Sequence, residues 1–203
     1  MNTTATNRPT ADDEAQLLEA IERWVEKEVR PIARKMDQAD EYPHDLVEQM
    51  KELGLFGATI APEYGGLGLS ATGYARIVTA ISKVWMAPTG IFNSHLIMAQ
   101  CVERSGTAEQ KAYFLPKFAT GEWRGGIGLT EPNAGTDLQG IRTLARRDGD
   151  SYVLNGTKTW ISNGIYGNCF AVLTKTNPEA EPRHKGMTMF LCEKGEGFTV
   201  GRK

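Results

Sequence analysis

The sequence predicts an α+β protein, with an all-helical bundle over residues 1–121 followed by an antiparallel, β-barrel-like domain over residues 122–203. Two observations carry this prediction. Apolar residues recur every three or four positions up to about residue 118, which is the period of an amphipathic helix. Past Gly121 the pattern changes to alternation, interrupted by turn dipeptides such as Asp148-Gly149 and Asn155-Gly156, which is typical of short strands.

The first helices are delimited by proline and glycine. Residues 12–39 carry one apolar stripe with charges on the remaining face, and Pro31 is expected to kink or divide this helix because it lacks an N–H. Pro43 suits the first position of the next helix, and Gly54 suits its end. The sequence therefore predicts a divided long helix and then a short amphipathic one.

Capping residues mark the later helices. Ser70 is placed to cap a helix that reaches about Val84, and the sequence 88–90 (Pro-Thr-Gly) is expected to separate it from the next helix. Thr107 and Gln110 have the spacing of a capping box for a further helix. The glycine-rich stretch 61–70 could in principle cradle a phosphate. It lacks the G-x-G-x-x-G order and a surrounding β-α-β pattern, so a structural turn is favoured.

The second half is expected to form short strands. They are predicted at 123–129, 142–147, 151–154, 157–161, 169–175 and 187–192, with a further strand beginning at 198–200. Asn155-Gly156 predicts a tight hairpin, which would place Trp160 and Ser162 on the same face of one strand. The strand pattern stops at Lys203 and would leave an unpaired edge, so we expect an incomplete β domain in a fragment or truncated chain.

Composition excludes several classes of function. The chain has 203 residues, a formal net charge of -2, 40% apolar residues and no basic run, which argues against nucleic-acid or anionic-membrane binding. Cys101, Cys169 and Cys192 are far apart and show neither metal spacing nor a disulfide framework, which favours a reducing compartment. Residues 1–13 lack an apolar core for a secretory signal, and no apolar run approaches the ~18 residues of a membrane span. We therefore expect a cytoplasmic protein without a membrane span.

The stretch from Gly128 to Gly164 carries the chemistry. Residues 128–137 read Gly-Leu-Thr-Glu-Pro-Asn-Ala-Gly-Thr-Asp, a loop with short polar side chains and free backbone groups that suit an anionic ligand. Residues 155–164 read Asn-Gly-Thr-Lys-Thr-Trp-Ile-Ser-Asn-Gly, which supplies an aromatic plate beside a small hydroxyl donor. Such a pair can hold a flat heteroaromatic ring.

These two segments, in this order, resemble the acyl-CoA dehydrogenase family, whose hallmarks are a T-E-P-x-A-G-(S/T)-D loop and an N-G-x-K-x-W-I-(S/T)-N-G segment. The resemblance extends through the helical half. It implies that FAD accepts a hydride from the β carbon of an acyl-CoA thioester while a carboxylate removes the α proton. It also implies an electron-accepting flavoprotein partner and a homo-oligomer, and no metal.

The resemblance assigns roles to individual residues. Leu129 and Thr130 would meet the edge of the flavin ring, and Trp160 would pack against the ring while Ser162 bonds near N5. Gly135 and Thr136 would lie along the pyrophosphate.

Thr136 would also lie near the substrate thioester. Glu131 is expected to be a scaffold residue and His95 a residue of the helical core, rather than general bases. Judged without the resemblance, Trp160 would more often be a core residue of a strand than a cofactor plate.

No catalytic residue is assigned, because the family's base normally lies in a C-terminal helical domain. We therefore expect these 203 residues to bind FAD weakly or not at all, and not to turn over acyl-CoA. Two alternatives stay open: an acyl-CoA oxidase or flavin monooxygenase on the same scaffold, and a non-catalytic fragment. Peroxide release would identify an oxidase, and absence of flavin from the whole natural product would identify a remnant.

Overall fold

The computed structural model describes residues 8–201, which divide into two compact units between Trp123 and Arg124. The first unit is helical and the second is built on a sheet, so the predicted order of a helical half followed by a β half is confirmed. None of the helices formed by the described residues combines the length and the apolar character that a bilayer crossing requires.

The first unit is a bundle of amphipathic helices. Its described α-helices are α1 (Ala11–Trp24), α2 (Arg30–Ala39), α3 (His44–Glu52), α4 (Ala71–Ser82), α5 (Met86–Ser105) and α6 (Ala108–Ala119). A π-helical turn, Val25–Val29, joins α1 to α2, and the N–H of Arg30 donates to the carbonyl of Val25. Val29 and Arg30 keep the right-handed helical conformation, so the helix runs on, and the irregularity predicted near Pro31, which has no N–H, takes the form of this π-helical turn.

The core of this unit is apolar. Its fully buried side chains include Ile21, Leu46, Met50, Phe56, Ile77, Phe92, Met98 and Phe118. His95 is also fully buried, and its Nε2 lies 3.0 Å from the carbonyl oxygen of Phe118. The imidazole packs edge-on against Phe56 and Phe118, with centroids 5.3 and 5.5 Å away. His95 is therefore a packing residue of the helical core.

Local chemistry sets most helix ends. The Ser70 hydroxyl accepts from the N–H of Gly73, and Thr107 and Gln110 form the expected capping box. The predicted break at residues 88–90 is wrong, because α5 begins at Met86 and runs through them. Pro88 sits in the first turn of α5, where a helix has no acceptor for its N–H, so proline does not interrupt it.

The glycine-rich connector 61–70 is a packed structural turn. The N–H groups of Leu67, Gly68 and Leu69 donate to the carbonyls of Gly57, Ile60 and Ala58 at 2.8 to 2.9 Å. These donors are consumed within the fold and are not directed at a ligand. The segment is a connector, as the missing G-x-G-x-x-G order indicates.

The second unit contains one mixed sheet. Its described strands are β1 (Gly125–Gly128), β2 (Leu144–Asp148), β3 (Ser151–Asn155), β4 (Cys169–Lys175) and β5 (Met187–Glu193). β4 pairs antiparallel with β5 along its length, but parallel with β1 and with the start of β2. The wholly antiparallel, barrel-like arrangement is corrected to a mixed sheet that is open in the described residues. The long connection 129–168 lets β4 return in the direction of β1, which a hairpin cannot do.

β2 and β3 form a tight hairpin, which turns at 148–151 rather than at Asn155-Gly156. The prediction of a tight turn at Asn155-Gly156 is wrong. A type I′ turn needs a positive φ at both central residues, and neither Asn155 nor Gly156 has one. The described residues 157–161 form no strand, and neither do 198–200. Gly156 serves a close approach instead, since a Cβ there would lie 2.7 Å from the Cα of Thr143.

Candidate functional site

A tight loop follows β1. The N–H of Glu131 donates to the carbonyl of Ala134 at 2.8 Å, and the N–H of Ala134 donates to the carbonyl of Glu131 at 3.1 Å. Pro132 and Asn133 form the exposed tip of this turn, and proline suits the tip because its position requires no donor. The loop is therefore closed locally at 131–134, and residues 135–137 continue on its exposed side.

The carboxylate of Glu131 organises the loop from beneath. One oxygen accepts from the N–H of Arg142 at 2.6 Å. The other accepts from the N–H of Thr143 at 3.0 Å, from its hydroxyl at 2.5 Å and from Nζ of Lys158 at 2.8 Å. The side chain of Glu131 is 5% exposed and that of Lys158 11% exposed, so water reaches little of this ion pair. Glu131 is thus a scaffold residue, as predicted.

The same contacts fix the charge of this group. Burial alone would raise the pKa of Glu131, because a carboxylate loses solvation there. The hydrogen bonds from Lys158, from the Thr143 hydroxyl and from two backbone N–H groups outweigh that effect and lower the pKa to about 2. A carboxylate with a pKa this far below neutral pH is a weak base, and its oxygens are already held by hydrogen bonds, so Glu131 is poorly suited to act as a general base.

Lys158 connects this loop to the tryptophan segment, residues 157–161. Its ammonium also donates to the carbonyl of Leu129 at 3.0 Å. One residue further on, the N–H of Thr159 donates to the carbonyl of Thr130 at 2.9 Å. The two segments that the sequence singles out therefore lie side by side.

Trp160 projects from this junction. Its side chain is 93% exposed and its φ is 58°, in the left-handed region that an aromatic residue rarely adopts. Further along the chain, Nδ2 of Asn163 donates to the carbonyl of Gly125 at 2.7 Å. The prediction that Trp160 and Ser162 share a strand face is wrong, because the chain here turns instead of forming a strand.

The other predicted site residues lie around the same loop. Leu129 and Thr130 are half-buried, whereas Gly135, Thr136 and Ser162 are exposed. Within residues 8–201, the backbone N–H groups of Gly135 and Thr136 donate no hydrogen bond. Two adjacent free donors suit phosphate oxygens, and an exposed indole suits a flat ring, so these residues fit a flavin nucleotide.

Sequence reasoning missed the residues that hold the site together. Lys158 lies in the tryptophan segment but carried no assigned role, and Thr143 belongs to no motif. The sequence offers one signal for Lys158, which is a lone cation two residues before the tryptophan. Nothing in the pattern pairs Thr143 with Glu131, since that contact depends on the path of the chain.

Two family models together match nearly all of the chain. Residues 11–122 match the family model for the acyl-CoA dehydrogenase N-terminal domain, and residues 126–203 match the model for the middle domain. The short-chain specific acyl-CoA dehydrogenase of Clostridium acetobutylicum is 37% identical over 184 residues, which is 90% of this chain and 48% of that protein.

Solved structures agree. Acyl-CoA dehydrogenase from Geobacillus kaustophilus superposes with a TM-score of 0.86 at 34% identity, over 98% of this chain and 52% of that one. A chain in a structure of the electron transferring flavoprotein of Acidaminococcus fermentans gives 0.88 at 32% identity, over 100% of this chain and 52% of that one. The chain spans about half the length of the relatives it matches.

Proposed function

The chain belongs to the acyl-CoA dehydrogenase family, and we propose that it supplies the helical and middle domains of an FAD-dependent enzyme that oxidises an acyl-CoA thioester between its α and β carbons. One observation carries the proposal to this chain's own residues. Thr130 and Trp160 lie on two segments that are hydrogen-bonded to each other through the N–H of Thr159. The polar loop and the aromatic plate therefore meet at one surface.

Each predicted residue has a role in this proposal. When bound, FAD supplies the two-electron chemistry that takes a hydride from the substrate. Leu129 and Thr130 border the edge of the flavin ring, Trp160 packs against the ring, and Ser162 donates near N5.

The exposed N–H groups of Gly135 and Thr136 bind the pyrophosphate, and the hydroxyl of Thr136 also contacts the thioester. These two adjacent N–H groups support this role, because they donate to no other group of the described chain and can bond phosphate oxygens without breaking an existing hydrogen bond.

The proposal extends to partners. The substrate is an acyl-CoA, the electron acceptor is a second flavoprotein, and the enzyme is a homo-oligomer. Likeness to a chain in an electron transferring flavoprotein structure supports the acceptor. Cys101, Cys169 and Cys192 are free thiols, which supports a reducing compartment such as the cytoplasm.

FAD titration of the 203-residue chain tests the flavin site. We expect weak, saturable quenching of flavin fluorescence, and about tenfold weaker binding in Trp160→Leu, because stacking on an aromatic ring contributes ~1–3 kcal/mol. Tyr152→Leu is the matched control, since Tyr152 is a 44% exposed aromatic residue of the same unit. Equal FAD affinity in Trp160→Leu and wild type would refute the flavin site.

A second measurement addresses turnover. We propose that these 203 residues do not dehydrogenate acyl-CoA alone, because Glu131, the buried carboxylate of the loop, has a pKa of about 2 and is held by four hydrogen bonds. Dye reduction is measured with butyryl-CoA as substrate and FAD in excess. Reduction above the protein-free rate would overturn this part, and peroxide release would assign the chain to an oxidase instead.

A further inference from the structure

A single lysine links the two segments of the candidate site. Nζ of Lys158 lies 2.8 Å from a carboxylate oxygen of Glu131 and 3.0 Å from the carbonyl oxygen of Leu129. Trp160 is two residues along the chain from this ammonium, and Thr130 lies between its two acceptors. We propose that Lys158 is a positioning residue, which sets the indole of Trp160 relative to Thr130 by holding the two segments at a fixed separation. The flavin part of this inference rests on the proposed function.

The chemistry of lysine suits this task. An ammonium has three donors on a long stem, so it can bond a carboxylate and a carbonyl that belong to different parts of a loop. Because the pair is almost fully buried, little water can compete for its hydrogen bonds, and the two side chains stay in one arrangement. Glu131 is itself fixed by the N–H groups of Arg142 and Thr143, so it forms a rigid anchor for the lysine.

Trp160 needs such an anchor. Its side chain is 93% exposed, so packing does little to fix it, and its backbone is in a strained left-handed conformation. The position of the indole therefore depends on the backbone of the tryptophan segment. That backbone is bonded to the loop by the N–H of Thr159, and the Lys158 side chain adds a second attachment one residue away.

An ion pair that served only stability would leave the indole in place wherever the chain is folded. A positioning role predicts that the environment of Trp160 changes in folded protein when the ammonium is removed. The two roles are therefore separated by a probe on Trp160 itself, read together with the stability of the chain.

The test uses the 203-residue chain labelled with 5-fluorotryptophan. Its four tryptophans give four fluorine resonances, and Trp160→Phe identifies the one from residue 160. The variants are Lys158→Met, which keeps the stem without donors, and Lys158→Arg, which keeps the charge. Lys194→Met is the matched control, because Lys194 is a lysine of the same unit that donates to a backbone carbonyl, that of Ile165 at 2.8 Å. Urea midpoints and FAD titrations are measured on each.

We expect Lys158→Met to shift or broaden the Trp160 resonance while the other three stay in place, and to weaken FAD binding about tenfold. Lys158→Arg should restore part of both effects, and Lys194→Met should leave the Trp160 resonance unchanged. An unchanged Trp160 resonance in folded Lys158→Met would overturn the proposal, whatever the urea midpoint.

Two further outcomes are assigned in advance. If Lys158→Met does not fold, the double variant Lys158→Met/Glu131→Gln is judged by the same criterion, since it removes the ammonium without leaving an unpaired buried carboxylate. If the wild-type chain binds no FAD, the titrations offer no comparison, and the fluorine spectra alone decide whether Lys158 positions Trp160.

Discussion

Neutralising Glu131 should change how the stability of the chain depends on pH. The carboxylate is held by Lys158, by Thr143 and by two backbone N–H groups, which lower its pKa from an ordinary value of 4.5 to about 2. The change is Glu131→Gln, which keeps the shape and an acceptor oxygen but cannot titrate. The perturbation therefore isolates one proton-binding site in the β unit.

The magnitude follows from the two pKa values. Because the folded pKa is the lower one, the ionised form of Glu131 stabilises the folded chain fully above pH 4.5, and this contribution is lost as the pH falls towards 2. The difference corresponds to about 3 kcal/mol, and near pH 3.5 it adds roughly 1 kcal/mol per pH unit to the slope of stability against pH. Glu131→Gln should lose that slope and be less stable than wild type at neutral pH.

Two measurements check this. Urea unfolding between pH 6 and pH 3 should show the gap between wild type and Glu131→Gln narrowing as the pH falls. Carbon-13 NMR of labelled glutamates should show one resonance, absent in Glu131→Gln, that does not titrate above pH 3. Glu196→Gln is the control, because Glu196 is an exposed glutamate of the same unit. A Glu131 resonance that titrates near pH 4.5, or parallel stability curves, would refute the reasoning.

Three further predictions concern neighbouring contacts. Gly156→Ala should lower the free energy of unfolding by about 1–3 kcal/mol, because a Cβ would lie 2.7 Å from the Cα of Thr143. Gly195→Ala is the control, because a Cβ there would meet no atom within 4 Å. Equal urea midpoints for Gly156→Ala and wild type would contradict the close approach. Thr159→Val should raise the free energy of unfolding by roughly 1 kcal/mol, since the Thr159 hydroxyl oxygen is buried without a hydrogen-bond partner among residues 8–201. A melting temperature of Thr159→Val below that of wild type would show that the hydroxyl has a partner. Burial, with Glu193 nearby, raises the pKa of Cys169 to about 12. Iodoacetamide at pH 8 should therefore modify this thiol in urea but not in the folded chain, as measured by mass spectrometry. Rapid labelling of Cys169 in the folded chain would contradict its burial.

The helical unit could be predicted wherever the signal was local. Caps at Ser70 and Thr107 depend on side chains three residues from their partners, so the sequence contains the whole interaction. The start of α5 was missed because proline in a first turn looks the same in sequence as proline that ends a helix. Trp85, just before α5, is 7% exposed, and its Nε1 donates to the carboxylate of Asp37, a long-range contact that the local sequence does not reveal.

The sheet and the site were less predictable for one physical reason. Parallel or antiparallel pairing of β4 depends on how the chain travels between strands, and alternation contains no record of that path. The tryptophan segment has β-like residues, but the close approach at Gly156 and the anchor at Lys158 divert it from a strand. That the segments of Thr130 and Trp160 belong to one site could still be predicted, because the family resemblance rests on short local motifs.

The parallel pairing of β1 with β4 places the loop and the tryptophan segment in one excursion of the chain, residues 129–168. The two strands can meet only by closing that excursion, at an entropic cost of about 3 kcal/mol for a flexible loop of this length. A nucleotide that contacts both segments would favour chains in which this excursion is closed, so nucleotide binding and formation of the sheet would stabilise each other.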